Sequence, residues 1–88
     1  MLPDRLDERI AETIRNRLER ERARVDTASP AWRERCEVAT VAMLGDPERR
    51  VFLSHVATNR GDAAANGLQQ SADQMRTAAI FILRGNLQ

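Results

Sequence analysis

The chain contains no lysine and no tyrosine, and among its 88 residues cysteine, histidine and tryptophan each occur once. Each scarcity closes a route. A lone Cys36, with no cysteine or histidine cluster around it, makes neither a disulfide nor a structural zinc site. The longest apolar run, Ala78 to Leu83, is far short of the roughly 20 residues that cross a bilayer. Residues at the N-terminus form no apolar leader, so a cytoplasmic protein without a membrane attachment is expected. Glycine stands only singly, which leaves no phosphate-cradling loop. His55 and Cys36 lie outside local helical reach of each other, and carboxylates occur interleaved with arginine on charged surfaces. No catalytic residue, cofactor or metal is therefore expected, and the chain reads as a non-enzyme.

What is present is arginine. All 14 basic residues are arginine, against 13 acids, and the net charge is +1. A guanidinium binds carboxylate or phosphate through a planar fork, which an ammonium does not. A nearly neutral chain is nevertheless a poor nucleic-acid binder in general, because affinity for phosphate needs an excess of positive charge.

No stretch alternates apolar and polar residues long enough for a strand, so the fold class is all-α, a small bundle of three to four helices with a long charged N-terminal helix. Residues 1–26 form that helix and residues 29–88 a compact three-helix unit, within a single domain overall. Pro3 suits a first helical turn, with Asp4, Asp7 and Glu8 favoured by the helix dipole, and the helix runs to about Arg24. Its stripe is Leu2, Leu6, Ile10, Ile14 and Leu18, spaced by four and therefore narrow. Ser29-Pro30 opens helix two, which runs to Leu44. Trp32, Cys36, Ala39 and Met43 share one face there, so a core role is expected for Trp32 and Cys36, and helix two is expected to be the most buried. Gly45 is read as a left-handed stop before Asp46-Pro47 opens helix three, and Arg60-Gly61 ends it. Tight corners of this kind are expected to force consecutive helices into contact.

The fourth helix, about Ala63 to Arg84, carries Leu68, Ala72, Met75, Ala79 and Ile82 at spacings of four, three, four and three, a seam expected to face the core. Gly67 interrupts it. Either close packing fills that notch or the helix starts at Ser71. A DNA-reading helix-turn-helix fails at both corners: after Gly61 the buried positions hold Gly67 and Gln70, and before Gly45 the alanine position holds Val41.

The stretches Trp32 to Glu37 (Trp-Arg-Glu-Arg-Cys-Glu), Pro47 to Leu53 (Pro-Glu-Arg-Arg-Val-Phe-Leu) and Arg60 to Ala64 (Arg-Gly-Asp-Ala-Ala) resemble small helical proteins of unknown activity encoded by proteobacterial phages and prophages. The resemblance covers about residues 32–74. It implies an accessory role, such as modulating or inhibiting a host protein, and assigns no functional residue.

Two functions are compatible with these features. In the first, the chain is a protein-binding accessory module whose partner is a second copy, most simply as a homodimer, or a host protein. A domain of this size buries only about 60–65 % of its unfolded surface, and a narrow stripe on a long helix has little to cover within its own bundle. Leu6, Ile10, Ile14 and Leu18 are thus expected to bind the partner. Arg49 and Arg50, cations near the positive end of helix three, are expected to meet a partner carboxylate. In the second, arginines from several helices bind an anionic ligand, a nucleic acid or a nucleotide. Residues 1–26 carry seven arginines and seven acids, a balance that favours protein contact over phosphate tracking.

Overall fold

Ser29 lies in extended backbone (φ −71°, ψ 148°), and its Oγ accepts a hydrogen bond from the Trp32 N–H at 3.1 Å. Pro30 fills the first turn, where a missing N–H costs nothing. This start of the second helix is as the sequence requires. In the computed structural model, residues 5–85 are described. Leu2, Pro3 and Asp4, on which the expected start of the first helix rests, lie outside the described residues.

Four helices follow one another: α1 (Arg5–Arg22), α2 (Pro30–Met43), α3 (Asp46–Arg60) and α4 (Asp62–Gly85). No strand occurs among the described residues. Between α1 and α2 the chain turns on Asp26, whose carboxylate accepts from the Ala28 N–H and whose carbonyl accepts from the Ser29 N–H, both at 3.0 Å. Short polar side chains favour this kind of local turn.

The two glycine corners differ from expectation in opposite ways. Gly45 is extended (φ −70°, ψ 169°) rather than left-handed, and it precedes α3 as its cap residue. Leu44 before it is extended too (φ −75°, ψ 149°). Two extended residues carry α3 away from α2, and those helices touch little beyond the corner. Gly61 is the position that needs glycine, at φ +95°. Its N–H donates to the Ala57 carbonyl at 3.0 Å, ending α3, and its own carbonyl accepts from the Ala65 N–H at 3.2 Å, starting α4. Here the turn does bring consecutive helices together, for α3 packs along α4.

The central helix is α4: it packs against α1, α2 and α3 alike. The expected seam is buried at Leu68, Ala72, Met75 and Ala79, with Ala65 added at its start and Ile82 half-buried at its end. From α1 it receives Ile10 and Ile14, from α2 Ala39, Val41 and Ala42, and from α3 Val56. Burial in α2 changes along its length more than around it. Trp32 and Cys36, expected in the core, are only half-buried, while Ala39, Val41 and Ala42 further on are enclosed. The first turns of α2 overhang the bundle and its last turns enter it.

Among the described residues, five of the eleven buried apolar ones are alanine. Alanine lets helices approach closely but removes little apolar surface from water. The chain is also flat, 42 × 39 × 18 Å, with a radius of gyration of 13.8 Å, where about 12 Å is usual for a domain of this length.

Candidate functional site

The stripe assigned to a partner is largely spent inside the chain. Ile10 and Ile14 are 1 % and 2 % exposed against α4 and α2, and Leu18 packs on the same cluster. Ile10 and Ile14 have no surface to offer a second molecule, so for these two the expectation that they bind one is corrected, while Leu18 is half-buried. The narrow stripe suffices because α4 and the end of α2 form a groove that receives it. Leu6 is half-exposed at 51 %.

Arg49 is also turned inward. Its guanidinium donates to the Leu44 carbonyl at 2.7 Å and pairs with the Asp46 carboxylate. Only 14 % of its side chain is exposed. The carboxylate anticipated from its unfavourable position near the helix start belongs to the chain itself, and Arg49 clamps the α2–α3 corner. Arg50 is exposed.

Other arginines are committed in the same manner. Arg35 donates through Nε and Nη2 to both oxygens of Glu21, each at 2.8 Å, and so fastens α2 to the end of α1. That fork holds the Glu21 carboxyl below its ordinary value and the Arg35 guanidinium above its own. Arg60 reaches Glu37 at 2.8 Å, linking the end of α3 to α2. Arg76 of α4 donates to the Ala42 carbonyl at 2.9 Å and to Asp7 at 2.7 Å.

Two adjoining clefts, about 390 and 510 Å³ in volume, share Glu34, Val38 and Ser71 and so form one open groove between α2 and α4. Val38, Leu68 and Met75 give it an apolar floor. Along its α4 wall stand Ala63, Gly67, Ser71, Gln74 and Ala78. This row lies one residue before the buried seam, about 100° around the helix from it. The expected explanations of Gly67 both fail: α4 is continuous through it, and no atom of the chain lies within 4 Å of where a Cβ would stand. Glu34 and Glu37 rim the groove from α2, Arg17 from α1 and Arg60 from α3.

A third cleft, about 430 Å³, lies between α1 and α2 and includes Leu18, Trp32 and Cys36. His55 is exposed on α3 and does not line it. Among the described residues no group of three or more histidine, cysteine, aspartate or glutamate side chains is placed to hold a metal ion. Nor is any helix there long and apolar enough to cross a membrane.

Residues 25–79 match a protein family described as a family of unknown function, DUF7696. The chain belongs to this family. No curated protein and no solved structure matches it. The DUF7696 segment begins after α1 and contains α2, α3 and most of α4. Apart from Arg17, every residue of the α2–α4 groove falls inside it, whereas the Trp32 cleft takes one wall from α1, outside it. The groove was not legible in the sequence. Its only trace there is Gly67, a residue that neither a turn nor a cap requires.

Proposed function

We propose that this member of DUF7696 is a non-enzymatic, cytoplasmic, protein-binding accessory module whose docking face is the groove between α2 and α4. The observation that carries this reading is the groove itself, an open trough of mixed polar and apolar lining with a wall of small side chains, built, apart from Arg17, from the segment that the family match spans. A trough bounded by two helices, about 22 Å long over the sixteen residues from Ala63 to Ala78, has the shape that an amphipathic helix fills.

A host protein and a second copy both belong to this class of partner. The resemblance to phage and prophage proteins favours a role in modulating a host protein. Support for the anionic-ligand alternative is weaker, because Arg35, Arg49 and Arg60 are paired within the chain.

The test is a photo-crosslinking amino acid placed at Ser71 in the groove, with Thr58 on the exposed side of α3 as control, in cells of the source host. Adducts with a protein segment at Ser71 and none at Thr58 are expected. Equal yields at the two positions, or none at either, would remove the groove as a docking face.

A further inference from the structure

Gly67 sits inside a 24-residue helix, its backbone has no positive φ, and glycine there costs about 1 kcal/mol against alanine. Nothing in a single chain uses the missing side chain, since the space beside it is open. A second helix crossing α4 at this point would use it, because without a Cβ the two backbones approach closely.

The chain also exposes more surface than its mass requires. Its accessible surface is 6559 Å², about a quarter above the roughly 5,200 Å² of a compact monomer of that mass. A standard protein interface removes about 800 Å² from each partner. The surplus is thus large enough for one interface with a molecule of similar size.

Charge narrows the choice of that molecule. On the rim Glu37 and Arg60 are paired with each other and Arg35 with Glu21, which leaves Glu34 and Arg17, one charge of each sign, facing an occupant. A second identical rim presents both signs, and at a net charge of +1 two copies approach without appreciable repulsion.

From these observations we infer that the groove is an interface between two copies of this chain, the α4 helices crossing near Gly67 and Ser71 about a two-fold axis. Each α4 then fills the groove of the other, as an isologous contact requires. The inference rests on the docking-groove reading and names the occupant. It places self-association on α4 instead of on α1, whose Ile10 and Ile14 are already buried.

Size-exclusion chromatography with light scattering on the full chain tests it. At about 100 µM the wild type should have about twice the 9.9 kDa mass of one chain. Gly67→Leu and Ser71→Arg should each give a single chain with unchanged helicity, because both positions are exposed within the monomer. Val51→Ser, which alters an apolar side chain 59 % exposed on α3 and outside the groove, should leave the dimer intact. Should Gly67→Leu not fold, Ser71→Arg decides alone. A monomeric wild type, dimers that survive both groove substitutions, or a dimer abolished by Val51→Ser would each overturn the inference. A monomer whose Ser71 still crosslinks to a different protein overturns self-occupancy and leaves the docking groove standing; a monomer with no adduct removes both.

Discussion

Arg76 donates to Asp7 across 2.7 Å, joining two residues separated by 69 positions. The same guanidinium donates to the Ala42 carbonyl at the end of α2, so one side chain of α4, 16 % exposed, ties three helices together. An arginine can do this because its nitrogens point in several directions within one plane, which a lysine cannot imitate. Arg76→Met should therefore cost about 1–2 kcal/mol, lowering the melting temperature by about 4–8 °C per kcal/mol. Thermal melts followed by circular dichroism measure it. A variant that melts with the wild type would show that the tie adds nothing to stability.

Met75 lies in the centre of the buried seam, 7 % exposed. Met75→Asp places a carboxylate in the apolar seam, where its desolvation costs more than a contact with Arg17 or Arg35 on the cleft wall returns, and the protein should lose its helical signal at room temperature. Retention of wild-type helicity and melting temperature would contradict the core described above.

Ile14→Ala should cost about 2–5 kcal/mol, the range for removing a buried isoleucine side chain. Because Ile14 packs within its own chain, the deficit in urea unfolding should be the same at low and high protein concentration. A deficit that grows with concentration would instead place α1 in a contact between copies.

The Glu21–Arg35 fork gives a pH dependence of known sign. Glu21 has a lowered carboxyl pKa in the folded chain, so its contribution is complete above the ordinary glutamate value of about 4.3 and is lost as pH falls through the lower folded value. Arg35 stays charged throughout. Both groups are about a third exposed, so solvent screening holds the contribution to a few tenths of a kcal/mol, at most about 1. The stability difference between wild type and Glu21→Gln should be present at neutral pH and vanish in acid. A difference that widens on acidification would refute the assignment.

Nucleic acid should bind weakly. With acids interleaved among the arginines and a screening length of about 8 Å at physiological salt, no specific complex with a fluorescent oligonucleotide is expected at roughly 150 mM salt. Sub-micromolar binding there, lost in Arg49→Ala/Arg50→Ala, would put the anionic-ligand reading first.

The sequence alone determined what depends on neighbours along the chain. The Ser29 cap and Pro30, the stop at Gly61 and the four-three spacing of Leu68, Ala72, Met75 and Ala79 are local signals, and each appears in the structure as expected. Periodicity reports which side of a helix is apolar, but not what that side meets or how far along its axis a helix is enclosed. For that reason the α1 stripe, assigned to a partner, is found against its own α4, and Trp32 lies at a rim although it shares a face with buried Ala39. The partners of Arg49 and Arg76 were equally hidden, since a carbonyl offered by the end of another helix leaves no mark in composition. Tertiary structure decided these points, and it also decided the groove. An open trough is a property of how two packed helices sit against each other, and the local order of side chains does not specify that.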